Sequence, residues 1–429
     1  MKILLLGFNV QEDIFPLGLF YLKGYAQKFH PDVDIEIKEF SFGTRSSYDT
    51  NKNIELQALS YIMLQKPDVV AFSCYIWSGE MVQDFARTIK QINPHIKIIL
   101  GGVEVHQDLL TENVDFIVNG EGEVAFKEII DYLKGERKFE DIHNINNHKT
   151  IEIENLDDLP FPYKYADKKD HKVVRIETSR GCLFHCNFCH YAQGKLRNFS
   201  LEYLNENLQY LFHNFQFRNL TLIDANFNSD KNRMFAVLDM IEKFYQEKAL
   251  QDVVPQDVRL QNVFPQDVHH QDALHVHCEF RPELLDENMI KKLETYSFNL
   301  AVELGFQSSD EEVLKLANRP TNLEKVKEVL ALLNKSTIAY KIDLMYGLPG
   351  DNFYKFLNSC RFLLQYATRN KKITAHHHMV LNNTTFHNDV ERFNPHHSSM
   401  VLKTDTQDVL DLYLTKLFVD QLNEELKFS

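Results

Sequence analysis

SRGCLFHCNFCHY, residues 179–191, holds three of the chain's six cysteines, Cys182, Cys186 and Cys189, in CxxxCxxC spacing. Four thiolates saturate a 4Fe-4S cube, whereas three hold it and leave one iron with an open coordination position, which is where chemistry can occur. Zinc is the alternative at this point. Zinc sites usually take four ligands, often as two separated pairs. The chain has no second CxxC, so His185 and His190 would have to complete such a site.

The run directly follows an apolar stretch, VVRIETS (173–179), that opens a series of strand candidates. The others are NLTLIDANF (219–227), HVHCEF (275–280), NLAVELGFQS (299–308), IAYKIDLMYGLPG (338–350) and KITAHHHMVL (372–381). Helical patterns separate them, such as Leu323, Val326, Leu330 and Leu333. Six strand–helix units predict a partial parallel barrel with the cysteines in the loop after its first strand, at the carboxyl rim where barrel chemistry sits. Ionisable residues interrupt strands that should be apolar. Glu303 and Gln307 share one face of their strand, as do Glu279 and Arg281 on theirs. Such groups are either ion-paired between strands or meet a ligand.

Upstream, strands at 2–8, 34–41, 68–75, 97–102 and 115–120 alternate with amphipathic stretches such as 81–92, where Val82, Phe85, Ile89 and Ile92 recur. This alternation predicts a doubly wound parallel sheet with ligands beyond its carboxyl strand ends. Those ends carry Ser73 to Ser78, Gly101-Gly102 and Asn119-Gly120-Glu121-Gly122-Glu123. The organisation expected is α/β throughout. A Rossmann-like domain occupies 1–135, a linker 136–172, a partial (β/α)6 TIM-like barrel 173–385, and a helical segment 386–429. A tandem decapeptide, ALQDVVPQDV then RLQNVFPQDV, marks an exposed insertion at 249–271, because two copies are too few for a solenoid.

Hydrophobic residues make up 44% and charged residues 25% of 429, the balance of a globular enzyme. No run reaches the roughly 18 apolar residues of a membrane span, and MKILLLGFNVQED turns polar too soon for a secretory leader, so a cytoplasmic location is expected. A net charge of −14 argues against nucleic acid as a general partner. Most of the 19 histidines read as solvated or hydrogen-bonded, with His376 and His378 set apart because they would face the barrel rim. Cys74, Cys278 and Cys360 read as buried core thiols.

The cysteine spacing, with Phe188 before the third cysteine and Ser-Arg-Gly before the first, resembles the signature of radical S-adenosylmethionine enzymes. That resemblance implies a 4Fe-4S cluster on Cys182, Cys186 and Cys189, S-adenosylmethionine as the ligand of the open iron, and a flavodoxin-, ferredoxin- or reductase-type electron donor. CEFRPELL, ELGFQSSDEEVLKLANRP and IDLMYGLPG are similar to barrel segments of the oxygen-independent coproporphyrinogen oxidases and their relatives. By motif match they imply cofactor contacts for Glu279, Gln307, Arg319 and Asp343, with Phe188 beside the cluster. Where relatives have a glycine-rich turn, this chain has Leu222-Ile223-Asp224-Ala225-Asn226-Phe227-Asn228, which makes Asp224 the expected partner of the methionine amine. LNNTTFHNDVERF (381–393) stands in place of an LPGTPL segment, a departure on the substrate side.

FPLGLFYLKGY (15–25) and NGEGE (119–123) resemble the cobalamin-binding domain found ahead of many such barrels, implying cobalamin near Ser73, Gly101 and Gly102. The DxHxxG motif that supplies a lower axial histidine is absent; the chain reads Asn9-Val10-Gln11-Glu12-Asp13. The pairing of cofactors implies methylation of an unactivated carbon in a small-molecule or other substrate. Radical oxidation or rearrangement without a working corrin, and an iron–sulfur protein without turnover, are the other readings.

Overall fold

The computed structural model describes residues 1–9, 15–41, 48–166, 173–252, 273–366, 371–382, 384–389, 394 and 400–426. These form two compact units, Met1–His171 and Lys172–Ser429.

In the first unit, strands β1 (Lys2–Asn9), β2 (Asp34–Ser41), β3 (Val69–Ser73), β4 (Lys97–Gly101) and β5 (Phe116–Val118) form one parallel sheet. Its order is β2-β1-β3-β4-β5. Side chains alternate across it. Leu4, Leu6 and Phe8 enter one apolar layer with Phe85 and Ile89 of helix Gly79–Ile92. Ile3 and Leu5 enter the other, with Ala125, Phe126 and Ile129 of helix Gly122–Leu133. Both faces are covered, as the near-continuous apolar strands require. The strand order reverses between β1 and β3, and the crevice at such a switch point is where doubly wound sheets bind ligands. The stretch expected as a linker, 136–172, contributes Ile142 and Ile145 to this unit's core.

The second unit is built on β6 (Val173–Ile176), β9 (Asn219–Leu222), β10 (His275–Phe280), β11 (Asn299–Gln307), β12 (Ala339–Tyr346) and β13 (Lys371–His377). They pair in parallel, each beside its predecessor in the chain. A sequential, all-parallel sheet with helical crossovers is the wall of a partial barrel. One face is apolar and buried, with Val276, Cys278, Leu300, Val302, Leu304, Ile342 and Leu344. The other carries His277, Glu279, Glu303, Gln307, Lys341, Asp343 and His376. A short antiparallel ribbon, β7 (Ser179–Arg180) on β8 (Arg197–Asn198), closes the cysteine loop at its base.

The expected insertion at 249–271 overlaps the end of helix Lys231–Asp252 and otherwise lies outside the described residues, as do His269, His270, His396 and His397. Among the described residues, no helix is long and apolar enough to cross a membrane.

Candidate functional site

Two anchors hold the cysteine loop. At its base, β7 and β8 pair Ser179 with Asn198 and Arg180 with Arg197. Gly181, at φ +81°, makes the turn into Cys182, and a Cβ there would come within 2.4 Å of the Lys195 carbonyl oxygen. Beneath the base lies Asp224, 2% exposed. Its carboxylate accepts from the Thr178 hydroxyl (2.8 Å), the Thr178 amide (3.2 Å) and the Ser179 hydroxyl. Burial pushes the Asp224 carboxyl above its ordinary value. The sequence marks Asp224 as a partner for the methionine amine. Here its oxygens are taken up in tying the end of β9 to the loop.

The second anchor is the LANRP segment. The Asn187 amide donates to the Ala317 carbonyl (2.9 Å), and the Asn187 side chain donates to that of Leu316 (2.8 Å). The Asn318 side chain donates to the His185 carbonyl (2.6 Å). Arg319 donates through Nη2 to the Gly305 carbonyl (2.5 Å) and through Nη1 to Cys186 Sγ (3.4 Å). Arg319 therefore reaches the middle cysteine, where the sequence reading aims it at a cofactor carboxylate; only its buried Nε lacks a partner. The Arg281 guanidinium lies 3.9 Å from the Phe184 ring centroid and donates to the Pro320 carbonyl (2.8 Å). Arg281 follows the end of β10 with an extended backbone and is the N-cap of the next turn.

Cys182 and Cys189 are half-buried and Cys186 is buried. Burial pushes the Cys182 thiol up, and the charges of Arg281 and Arg319 pull it back toward the thiolate a metal needs. Phe188 packs against Val313, Leu348 and Phe386, pinning the loop from its apolar side.

On the sheet, cross-strand register sets an ion chain. Glu279 lies opposite Glu303, and Glu303 opposite Lys341. Glu303 pairs with His277 at 3.2 Å and with Lys341 at 2.8 Å; Lys341 also reaches Asp343 at 3.3 Å, and His376 lies 3.4 Å from the same carboxylate. The His277 hydrogen bond, with Lys341 beyond it, holds Glu303 well below the usual carboxylate range. Burial pushes Asp343 up, against the pull of His376. Glu279 has no hydrogen-bond partner among the described residues. Enclosure by the surrounding strands, then the Glu303 charge, push its carboxyl up to about 7, although solvent reaches it from the open side of the sheet.

Gln307 follows a bulge at the end of β11 and holds φ at +71°, a strained conformation for a side-chain-bearing residue. Its Oε1 is buried without a partner, while a Cβ on Gly305 would meet both Gln307 Nε2 (3.3 Å) and Arg319 Nη2 (2.9 Å). Gln307 and Arg319 thus converge on Gly305. Of the two histidines set apart, His376 joins Asp343, whereas His378 is buried against Phe386 and the Gly347 carbonyl, with burial lowering its pKa to about 4. His277 is hydrogen-bonded, as expected of most of the histidines, whereas Lys341 carries no signal in the sequence because its role depends on which strands pair.

In the first unit, Ser73 and Gly101 end β3 and β4 side by side. Gly102, at φ +116°, would place a Cβ 2.5 Å from the Cys74 carbonyl oxygen. It is required by the chain's own backbone, where the sequence argument assigns the close approach to a ligand. Beyond these ends stand Ile76, Trp77 and Val103, all exposed. The Trp77 ring stacks on Tyr75 at 4.8 Å, and its Nε1 donates to the Phe8 carbonyl (2.7 Å).

The donor sets fit the implied groups. Three thiols on one loop suit a cluster. Gln307 Oε1 and the Glu279 carboxylate offer acceptors to a cationic amine or to hydroxyls. The apolar ledge of Ile76, Trp77 and Val103 beyond the ends of β3 and β4 suits a flat macrocycle.

Residues 3–130 match the B12 binding domain family and residues 176–363 the radical SAM superfamily. The chain is 24% identical over 336 residues to the cobalamin-dependent radical SAM methyltransferase TokK of Streptomyces tokunonensis, covering 70% of this chain and 45% of that protein. It is likewise 24% identical over 339 residues to 2-(S-pantetheinyl)-carbapenam-3-carboxylate methyltransferase of Streptantibioticus cattleyicolor, again 70% and 45%. The chain spans about half the length of the curated relatives it matches. In fold it is similar to the radical S-adenosylmethionine methyltransferase TsrM from Kitasatospora setae, solved with cobalamin and a 4Fe-4S cluster. The TM-score is 0.64 at 12% identity, covering 94% of this chain and 79% of that one.

Proposed function

From a chain that belongs to the radical S-adenosylmethionine superfamily and carries a B12-binding domain ahead of its barrel, we propose cobalamin-dependent transfer of a methyl group to an unactivated carbon. The observation that carries this reading is the union of the two domains with a three-cysteine loop in one chain. When bound, the cluster and S-adenosylmethionine supply a 5'-deoxyadenosyl radical that removes a substrate hydrogen, and the corrin supplies the methyl group. The chain's own residues place these groups. Cys182, Cys186 and Cys189 hold the cluster; Arg319 steadies Cys186; Asp224 and the LANRP segment fix the loop that presents the open iron.

Glu279 and Asp343, with Gln307, provide the polar contacts to S-adenosylmethionine from β10, β12 and the end of β11. Ser73, Gly101 and the ledge at Trp77 would hold the corrin. The electron donor is a flavodoxin- or ferredoxin-type protein or a reductase, and the work is done in the cytoplasm.

The test is anaerobic reconstitution with iron and sulfide, followed by assay of iron, sulfide and 5'-deoxyadenosine on reduction with S-adenosylmethionine. The wild-type chain is expected to hold about four irons and to release 5'-deoxyadenosine, and Cys186→Ala to lose both. A stoichiometric cluster in Cys186→Ala, or zinc as the sole metal of the wild type, overturns the assignment.

A further inference from the structure

Helix Val409–Leu426, in the segment expected to be helical at the carboxyl end, carries apolar residues on two opposite sides. Along one side Leu412, Thr415 and Val419 are buried. A Cβ on Gly347 would meet Leu412 at 3.2 Å, and the Phe418 ring meets that of Phe353 edge-on at 6.0 Å, so this side holds the helix to the second unit. Along the other side Leu410, Tyr413, Leu414 and Leu417 recur at i, i+3, i+4 and i+7, which is one continuous stripe of a helix. They stand between 46% and 59% exposed, and Val409, 59% exposed, extends them. A helix that is apolar on both sides is one that buries both.

The charges beside the stripe say what does not cover it. Asp408 caps the helix, accepting from the Leu410 (2.8 Å) and Asp411 (3.0 Å) amides, and Lys416 donates to Asp420 (2.5 Å). Helices that lie on a bilayer surround their apolar face with lysine and arginine. Here Asp408, Asp411 and Asp420 stand against Lys416 alone, and that lysine is already paired, so an anionic bilayer is a poor match.

The stripe matches its own reverse. Read backwards about the 413–414 bond, Leu410 exchanges with Leu417, Tyr413 with Leu414, and Asp411 with Lys416. A two-fold interface needs a surface complementary to itself, and two such helices laid antiparallel bring Leu410 level with Leu417 of the second copy. Asp411 then stands level with Lys416 rather than with another acid. Five large side chains, each about half exposed, present roughly 500 Å² of apolar surface, the size at which a patch is often functional. Two copies together remove about 1,000 Å², the smallest area that supports a specific interface. We infer that the outer stripe of helix Val409–Leu426 is the surface on which two copies of this chain pair, antiparallel about Tyr413 and Leu414. Leu412 and His377 converge on Gly347, so the helix covers the face of β13 opposite His376, and pairing leaves the face that carries Asp343 and His376 open.

Sedimentation equilibrium of the full chain reads the pairing, with circular dichroism to show that each variant is folded. For an interface of this size the average mass of the wild type is expected to climb from one chain toward two between about 1 and 100 µM. Leu414→Glu with Leu417→Glu is expected to hold the mass of one chain throughout, because it puts four carboxylates into an apolar seam. Leu410→Ala with Tyr413→Ala, which adds no charge, is expected to weaken the dimer about tenfold or more. Leu56→Glu with Leu64→Glu, at exposed apolar residues of helix Tyr48–Gln65, is expected to pair like the wild type. A wild type of single-chain mass at every concentration overturns the inference, and so does a dimer that survives both stripe variants or is lost in the Leu56 and Leu64 variant. A monomeric wild type that sediments with phosphatidylcholine–phosphatidylserine vesicles assigns the stripe to a bilayer and overturns it as well.

Discussion

Glu279 is a carboxyl whose environment has been set against ionisation. Burial among the strands and the charge of Glu303 raise it to about 7, with Asp343 adding to the rise and His277 and Lys341 opposing it. Near neutral pH such a group is shared between its two forms, so a cationic ligand decides the balance. An ammonium placed against it favours the ionised carboxylate, and binding therefore releases a proton below about pH 7. If Glu279 receives the amine of S-adenosylmethionine, affinity rises with pH between about 6 and 7.5. It levels off once Glu279 is fully ionised and falls as the α-amine, with an ordinary value of about 7.7 to 8.0, loses its own proton. Calorimetric titration of S-adenosylmethionine into the reconstituted protein, repeated in buffers of different ionisation enthalpy, reads both the affinity and the proton. The Glu279→Gln variant is expected to bind roughly ten- to a hundredfold more weakly and without proton release. Wild-type affinity and proton release in that variant remove Glu279 from the cofactor contacts.

At the scale of the element, the barrel wall holds its charges by register. Lys341 on β12 spans Glu303 on β11 and Asp343 on its own strand. Although burial works against its ammonium, these pairs keep it above its ordinary value. Removing it leaves two carboxylates facing each other with His277 and His376 as their remaining partners. Lys341→Met is expected to cost about 1–2 kcal/mol, the range of a charged hydrogen bond reduced by partial exposure. Glu303→Gln together with Lys341→Met is expected to recover part of that cost. A denaturant double-mutant cycle measures the coupling, and strictly additive losses show that the pair does not act as one. The strands themselves were legible in the sequence, because apolar runs such as KILLLGF and HVHCEF are long enough to demand burial. The charge chain was not. Glu303 was visible as a misplaced acid and Asp343 through its motif, but Lys341 lies beside them only once β11 and β12 have paired. Asn144 and Asn146 were equally hidden. Their positive φ angles and the Asn144 bonds to the Glu121 and Ile151 carbonyls, at 2.8 and 2.9 Å, tie a polar, aperiodic stretch to the first unit. Neither polarity nor missing periodicity announces such ties.

At the scale of the molecule, two sheets of different winding each leave one functional edge. The barrel's edge could be read from cysteine spacing, since few arrangements of three thiols hold a cube. The edge of the first sheet had no comparable chemical signature, because a corrin is bound largely by shape and apolar contact. What the structure adds there is the strand order that sets a switch point between β1 and β3, and the ledge of Ile76, Trp77 and Val103 beyond the neighbouring ends. It also disqualifies one probe. Any side chain at Gly102 collides with the Cys74 backbone, so a Gly102 variant reports on folding before it reports on ligand. Histidine variants are cleaner. The stretch after β1 contains no histidine, and the partly exposed His106, which follows the end of β4 and lies 3.8 Å from Asp108, is the imidazole to test. A corrin held by the ledge without an axial imidazole should bind base-off, with water or no protein ligand beneath the cobalt. Anaerobic reconstitution with hydroxocobalamin, removal of the excess, and absorption spectroscopy are expected to show about one corrin per chain with a base-off spectrum, unchanged in His106→Ala. Trp77→Ala is expected to lower the bound fraction, because the ledge loses its largest exposed apolar side chain. A spectrum of a histidine-ligated corrin that vanishes in His106→Ala replaces the base-off arrangement with a ligated one. A wild-type chain that retains its cluster but holds no corrin removes the methyl donor, leaving oxidation or rearrangement by the barrel alone.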